Sequence, residues 1–294
     1  MKRALVLGGG GPIGIAWHCG LAIGLREEGV ELRDADTIVG TSAGSLVGTR
    51  LAAGQDLAEP APGAQPLGLP FAEGGPDTEK LGAIYQLWND AKQPSQMDAE
   101  RRRAIGALAR EARTCDLDVW IEATGGSVGV QDWPAASDCD LRIVGIDIER
   151  GERVCFDRNS GVPLHRAIAA SCCVPGMFPP VEIDGASYID GGVGTGTSAD
   201  FASDSSGTPD VVLAIAPMCD RTIEVGTCAE RALEDEAADL RASGAAVCVV
   251  LPDEADVEAF GPNLMDPSRA AVVIERGIER GRELAHAQGS IWNG

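Results

Sequence analysis

Ser42 stands in the sequence Gly-Thr-Ser-Ala-Gly, a G-x-S-x-G pattern in which a serine can serve as a nucleophile. The pattern is typical of a sharp turn between a strand and a helix. Gly40 and Gly44 are expected to flank the serine because side chains would clash in so tight a turn. The turn exposes the hydroxyl at a helix N-terminus, whose dipole favours negative charge on the attacking oxygen. The residue types and their spacing therefore favour acyl transfer.

Four consecutive glycines, residues 8–11, precede this serine and allow two interpretations. Gly9, Gly11 and Gly14 satisfy the dinucleotide pattern G-x-G-x-x-G, and Glu31 follows at a suitable distance to contact a ribose. However, the second predicted strand ends in Gly-Thr-Ser rather than in an acidic residue. Bare backbone N–H groups in such a loop can instead hold the oxyanion of a tetrahedral intermediate. The loop is thus compatible with a dinucleotide-binding protein or with an esterase.

A nucleophilic serine needs a base, and the sequence offers two kinds. The three histidines, His18, His165 and His286, carry no local motif, and each is interpreted as a structural or surface residue. Asp190 ends a predicted strand and precedes two glycines, which favours an ordinary turn but also allows the carboxyl to pack closely against a serine. The chain order also fits a Ser42–Asp190–His286 triad of the α/β-hydrolase type, although the serine then comes unusually early.

Apolar strands alternate with amphipathic helices, which predicts a mainly parallel sheet covered by helices. A segment rich in Pro, Gly and Ala, residues 54–75, predicts a long loop. The predicted strands are 3–7, 36–40, 186–190, 210–217 and 245–252, with a hairpin over 141–157, and the predicted helices are 13–28, 43–53, 78–91, 97–114, 163–172 and 267–287.

Charge and cysteine content exclude several classes of protein. The formal net charge is −21, from 45 acidic and 24 basic residues, which argues against nucleic acid and against tight docking on an anionic membrane. No apolar run reaches the roughly 18 residues of a membrane span. Nine cysteines with no C-x-x-C pair indicate neither a disulfide framework nor a zinc site. We expect the N-terminus to be a strand and the protein to be cytoplasmic.

Four blocks occur together in the order that the patatin-like phospholipase family shows, and the chain resembles that family over most of residues 3–200. The glycine loop with its helix, the G-x-S-x-G turn and the segment GIDIERGERVCFD are the first three. The fourth is AIAASCCVPGMFPPVEIDGASYIDGGV, which ends in Asp-Gly-Gly. Each motif alone has low specificity, but the order and spacing of all four make the resemblance specific.

The resemblance implies a three-layer α/β/α sandwich with a mostly parallel central sheet. It implies one domain over residues 1–294 with a helical and loop lid insertion at about 55–130. Ser42 would be the nucleophile and Asp190 its base, so that the catalytic group is a dyad. Backbone N–H groups of Gly9, Gly10 and Gly11 would form the oxyanion hole. No cofactor and no metal are implied.

The implied substrate is a lipid or fatty-acyl ester, with no nucleic acid and at most transient contact with a membrane surface. The family often carries Arg or Lys where Pro12 and Ile13 stand here, and this departure favours a neutral ester. Trp88 and Trp133 flank the predicted lid and are interpreted either as lipid contacts or as core residues. The oligomeric state stays open.

Overall fold

A computed structural model describes residues 1–61, 70–88, 97–135, 139–205, 207–219 and 224–294. Within these ranges the chain forms eight strands and nine α-helices. The strands are β1 (Arg3–Leu7), β2 (Thr37–Thr41), β3 (Asp140–Asp147), β4 (Glu152–Phe156), β5 (Val181–Ile183), β6 (Ala186–Asp190), β7 (Val211–Ile215) and β8 (Ala246–Val250). The helices are α1 (Gly11–Glu27), α2 (Ala43–Ala52), α3 (Thr78–Trp88), α4 (Ala99–Glu111), α5 (Leu117–Thr124), α6 (Leu164–Ser171), α7 (Glu224–Ala242), α8 (Glu254–Phe260) and α9 (Ala270–Asn293).

The strands of the described residues form one mixed sheet, in which the pairing path runs β5-β6-β3-β2-β1-β7-β8. Strand β4 also pairs with β3, on the edge opposite to β2 and β6. The five strands β3, β2, β1, β7 and β8 run parallel to one another. Strands β4 and β6 pair antiparallel with β3, and β5 pairs antiparallel with β6. Because the carboxyl ends of parallel strands lie at the same end of a sheet, the loops after β1 and β2 meet there.

Side chains of successive strand residues point to opposite faces of the sheet, and both faces are buried. On one face, Leu5, Leu7 and Ile38 pack in a core with residues of α1, α2 and α9. On the other face, Val6 and Val212 pack against residues of α7. The sheet therefore lies between two helical layers, and the predicted α/β/α sandwich with a mostly parallel sheet is confirmed.

Helices α1 and α9 cross at very short range, which fixes the helix that begins at the glycine loop. A Cβ added to Gly24 would lie 2.1 Å from the carbonyl oxygen of Ile278, and one added to Gly20 would lie 2.5 Å from that of Ile274. Only glycine allows the two backbones to approach so closely. The C-terminal helix thus supports the segment that begins beside Ser42.

Several predicted elements need adjustment. Helix α1 starts at Gly11 rather than at residue 13, because a proline in the first turn costs no hydrogen bond there. Helix α9 extends to Asn293, beyond its predicted end at residue 287, and α5, α7, α8 and the short strand β5 were not predicted. The predicted hairpin is confirmed as β3 and β4. Parts of the predicted loop 54–75 and of the predicted helix 78–91 lie outside the described residues. In the described part of the chain, no helix has the length and apolar character that crossing a membrane requires.

Candidate active site

Strands β2 and β6 approach each other head-on along one edge of β3, and this brings Ser42 and Asp190 together. Parallel β2 ends with Thr41 opposite Val144, and antiparallel β6 ends with Asp190 opposite Gly145. Strand β4 pairs with both of these β3 residues and occupies the opposite edge. The two strand ends therefore lie opposite neighbouring residues of β3, although about 150 positions separate them in the sequence.

The turn after β2 has the strained geometry that the G-x-S-x-G pattern predicts. Ser42 has a φ of 52° and a ψ of −120°, and only 7% of its surface is exposed. A Cβ on Gly40 would lie 2.6 Å from the Ser45 Cα, and one on Gly44 would lie 1.9 Å from the carbonyl oxygen of Leu7. Side chains at both positions would collide with backbone, so the two glycines are required for the turn.

Asp190 is a buried carboxyl that lines the same cavity as Ser42. The Ser42 hydroxyl interacts with this carboxyl and lowers its pKa, and the backbone N–H of Gly192 donates to it a hydrogen bond of 2.7 Å. Burial outweighs both donors and raises the pKa of Asp190 from 3.8 to about 7. The carboxyl can therefore accept and return a proton near neutral pH, as a general base must.

The glycine loop lies directly against Ser42. A Cβ added to Gly9 would lie 3.5 Å from the Ser42 Cβ. The Gly9 N–H donates to the carbonyl oxygen of Gly196 at 2.9 Å, so this amide is engaged within the backbone and is not available to a ligand. Within the described residues, the N–H groups of Gly10 and Gly11 have no acceptor, and both residues line a cavity with Ser42. The N–H groups of Gly10 and Gly11 therefore remain candidates for the predicted oxyanion hole, and that of Gly9 does not.

The three histidines lie outside the contact between Ser42 and Asp190. His18 is buried, and its Nε2–H donates to the carbonyl oxygen of Gly8 at 2.9 Å. Burial lowers the pKa of His18 to about 4, so the ring is neutral and supports the end of β1. His286 is exposed, with its Nε2 3.7 Å from Glu28. Neither it nor His165 is among the described residues that line the cavities at Ser42. The structure gives the predicted Ser42–Asp190–His286 triad no support.

The dinucleotide interpretation of the glycine loop also lacks its acidic partner. Glu31 accepts a hydrogen bond of 3.3 Å from the backbone N–H of Arg33 and caps the short turn Leu32–Asp34. It is not among the described residues that line either cavity beside Gly11. The loop faces the serine instead of a carboxylate that could hold a ribose.

Ser171, which the sequence did not single out, connects the serine turn to the sheet. Its Oγ accepts a hydrogen bond of 2.9 Å from the Ser42 N–H and donates one of 2.6 Å to the carbonyl oxygen of Val144. All of its surface is buried. The hydroxyl thus bridges the point where β2 ends, and it holds the backbone of Ser42 in position. No local pattern distinguishes this serine, since its role depends on β3.

Ser171→Ala is expected to lower the free energy of unfolding by about 1–3 kcal/mol, because it leaves a buried N–H and a buried carbonyl without a partner. Denaturation in urea, followed by circular dichroism, measures the change. Ser160→Ala is the matched control, because Ser160 makes a similar hydroxyl-to-carbonyl bond, of 2.6 Å, in an exposed turn. Equal midpoints for the wild type and Ser171→Ala would contradict the bridging role.

Two cavities meet at Ser42. The first, here called the Tyr85 cavity, has a volume of about 260 Å³. The second, the Trp120 cavity, has a volume of about 160 Å³. The Tyr85 cavity is lined by Gly10, Gly11, Ser42, Leu81, Ile84, Tyr85, Trp88, Val174, Pro175, Met177, Asp190, Met218, Asn263, Leu264 and Met265. The Trp120 cavity is lined by Gly11, Pro12, Ile15, Ser42, Ala43, Leu46, Trp120, Ala123, Thr124, Ser127, Cys172, Val174, Phe178 and Met265.

The two tryptophans considered as lipid contacts differ in their surroundings. Trp88 lines the Tyr85 cavity. Trp133 lines neither cavity; it is half-buried, and its Nε1–H donates to the carbonyl oxygen of Val162 at 2.8 Å. Trp88 therefore stays a predicted lipid contact, whereas Trp133 has a structural role.

Known proteins are similar to this chain over much of its length. A family model described as Patatin-like phospholipase matches residues 5–202, a range that includes the glycine loop, Ser42 and Asp190. Uncharacterized NTE family proteins of Mycobacterium tuberculosis and Mycobacterium bovis are 33% identical over 192 residues, 65% of this chain. The matched segment is 43% of the length of those relatives. Among solved structures, VipD from Legionella pneumophila has a TM-score of 0.49 at 14% identity, covering 97% of this chain and 67% of that chain.

Proposed function

Because this chain belongs to the patatin-like phospholipase family, we propose that it is a serine carboxylic-ester hydrolase that acts on lipid acyl esters. Ser42 is the nucleophile, Asp190 is the general base, and the N–H groups of Gly10 and Gly11 form the oxyanion hole. The insertion at about 55–130 acts as a lid, and its helix α3 forms a wall of the Tyr85 cavity. The contact between the Ser42 hydroxyl and the buried Asp190 carboxyl carries this proposal.

Acylation begins when the Ser42 Oγ attacks the ester carbonyl carbon and its proton passes to the carboxylate of Asp190. The carbonyl oxygen becomes an oxyanion, which accepts hydrogen bonds from the two free amides of the glycine loop. One such donor lowers the barrier by roughly 3 kcal/mol in a site that excludes water. The tetrahedral intermediate then collapses, Asp190 protonates the departing alcohol, and an acyl-enzyme remains on Ser42.

Deacylation repeats these steps with water as the nucleophile. Asp190 accepts a proton from water as the water oxygen attacks the acyl carbonyl carbon, and the same amides stabilise the second oxyanion. Collapse of this intermediate breaks the bond to Ser42, and the Ser42 oxygen recovers its proton from Asp190. The fatty acid leaves, and each proton transfer involves the carboxyl whose pKa burial raises to about 7.

Covalent labelling with a fluorophosphonate probe tests the proposal. We expect stoichiometric modification that peptide mapping locates at Ser42, because the probe reacts with activated serines. Ser127→Ala is the matched control and should label fully, since Ser127 lines the neighbouring cavity with a hydroxyl that donates to the carbonyl oxygen of Thr124 at 2.6 Å. His286→Ala should also label fully, because a dyad needs no imidazole. Absence of label at Ser42 would refute the proposal.

A further inference from the structure

The two cavities at Ser42 point to the class of ester that the site accepts. We propose that the substrate is a neutral ester with an apolar chain on each side of the scissile bond, and that the acyl chain occupies the Trp120 cavity while the alcohol occupies the Tyr85 cavity. This inference rests on the proposed hydrolase function. It adds which substrate class is cleaved and which part of the substrate each cavity receives.

The position of Asp190 assigns the two parts of the substrate. Asp190 lines the Tyr85 cavity and is not among the described residues of the Trp120 cavity. Because Asp190 must protonate the departing oxygen, the alcohol has to leave through the cavity that contains this carboxyl. Water for deacylation must reach the same carboxyl and therefore enters after the alcohol has left. The acyl chain is then directed to the Trp120 cavity, which also reaches Ser42.

The Trp120 cavity suits an acyl chain because most of its lining residues are apolar and two of its polar side chains bond elsewhere. Trp120 is almost fully buried, stacks on Phe178 with ring centroids 3.9 Å apart, and donates from Nε1 to the carbonyl oxygen of Ala169 at 3.0 Å. The Ser127 hydroxyl donates to the carbonyl oxygen of Thr124. Most of the other lining residues are aliphatic or aromatic, and their surface stabilises a methylene chain by removing it from water.

The Tyr85 cavity is bounded by one apolar stripe of α3. Leu81, Ile84, Tyr85 and Trp88 stand at the i, i+3, i+4 and i+7 positions of the helix, and all four line the cavity. Ile84 is fully buried, whereas Tyr85 is 53% exposed. The cavity therefore runs from Ser42 to solvent along apolar side chains, as a long alcohol requires.

The charges around the cavities favour a neutral substrate. None of the described residues that line either cavity is Lys, Arg or His. The titratable carboxyl beside the alcohol is Asp190, and its ionised form repels a phosphate group. A phosphodiester in the Tyr85 cavity would lose its hydration without gaining a cation from these residues. Neutral alcohols carry no such penalty.

Two ester series test the assignment in the wild type. Methyl esters of lengthening fatty acids extend only the acyl side, and butanoates of lengthening alcohols extend only the alcohol side. We expect kcat/KM to rise in both series, by up to about fourfold per buried methylene, from about 0.8 kcal/mol each. Dodecyl dodecanoate should be cleaved faster than phosphatidylglycerol of the same acyl length in matched detergent micelles.

Two filling variants separate the cavities. Ala123→Phe, in the Trp120 cavity, should abolish the rise of kcat/KM with acyl length and keep the rise with alcohol length. Leu81→Trp, in the Tyr85 cavity, should abolish the rise with alcohol length and keep the rise with acyl length. Val119→Phe and Gln86→Trp are the controls, because both residues are exposed on the same two helices and line neither cavity. Both control variants should hydrolyse methyl butanoate as fast as the wild type, and the rates of each filling variant are compared with its own rate on methyl butanoate.

The outcomes distinguish this inference from the hydrolase proposal. No turnover of any ester, together with an unlabelled Ser42, would refute the hydrolase itself. Hydrolysis of methyl butanoate without a gain in one of the series would overturn only the two-cavity assignment. Loss of the same series in both filling variants would also overturn that assignment. Cleavage of phosphatidylglycerol as fast as dodecyl dodecanoate would overturn the preference for a neutral substrate. Circular dichroism of each variant shows whether a lost gain reflects a filled cavity or a lost fold.

Discussion

Ser42→Ala is expected to lower kcat/KM for p-nitrophenyl acyl esters by about 10⁴-fold or more, because it removes the atom that forms the acyl-enzyme. The remaining turnover would come from the oxyanion hole and the apolar cavities acting on bound water. Initial rates with p-nitrophenyl butanoate, measured at equal concentrations of folded protein, give the comparison. The variant should also fail to release a burst of p-nitrophenol.

The fold should survive this substitution. Alanine has a Cβ like serine, so the strain of the residue at φ 52° is unchanged, and the backbone N–H still donates to Ser171. We therefore expect the free energy of unfolding to change by no more than about 1 kcal/mol. Ser160→Ala is the rate control and should keep the wild-type kcat/KM, because Ser160 lies in an exposed turn and lines neither cavity. A Ser42→Ala variant that is folded and fully active would exclude Ser42 as the nucleophile.

Local sequence patterns predicted the parts of the site whose geometry is local. Gly40 and Gly44 are required because a side chain at either would collide with backbone within a few residues or on the adjacent strand. Apolar runs predicted the parallel strands, since both faces of the sheet are buried. Asp190 could not be assigned from its own tripeptide, which is typical of a turn. Only the order of four motifs along the chain pointed to its partner.

The remaining features depend on contacts between distant segments. The Gly9 amide is engaged because the carbonyl oxygen of Gly196, almost two hundred residues away, lies beside it. Ser171 acts on Ser42 only because β2 ends where its hydroxyl also reaches Val144. Neither relation has a periodic or compositional signal. The sequence therefore predicted the strained turn at Ser42, whereas it predicted the loop amides only as a group.

Asp190→Asn is expected to reduce kcat/KM by about 10³-fold or more, since the amide cannot accept a proton from Ser42. Asparagine is nearly isosteric, and its side-chain oxygen can still accept the hydrogen bond from the Gly192 N–H. In the wild type, kcat/KM should rise with pH around a midpoint near 7, because the base works only when ionised and burial raises the pKa of Asp190 to about 7. Rate profiles between pH 5.5 and 8.5 measure this midpoint.

Asp184→Asn is the matched control, because Asp184 is an exposed aspartate in the turn between β5 and β6. Its φ is positive, a conformation that asparagine adopts readily. That variant should keep both the rate and the midpoint near pH 7. A wild-type profile that is flat from pH 5.5 to 8.5, or an active Asp190→Asn variant, would contradict the assignment of the base. His18 cannot produce a midpoint near 7, because burial lowers its pKa to about 4.

The same carboxyl should make stability depend on pH, in the direction opposite to activity. The pKa of Asp190 is raised from 3.8 to about 7 by folding, so between these values the folded state holds a proton that the unfolded state has released. Stability is therefore lost as the pH rises through this window, by at most about 1.4 kcal/mol per pH unit, and levels off above 7. The Asp190→Asn variant has no carboxyl at this position and therefore does not lose stability in this way. Urea denaturation at pH 5.5 and 8 should show the variant gaining about 2 kcal/mol relative to the wild type, and a constant difference would contradict the burial of the charge.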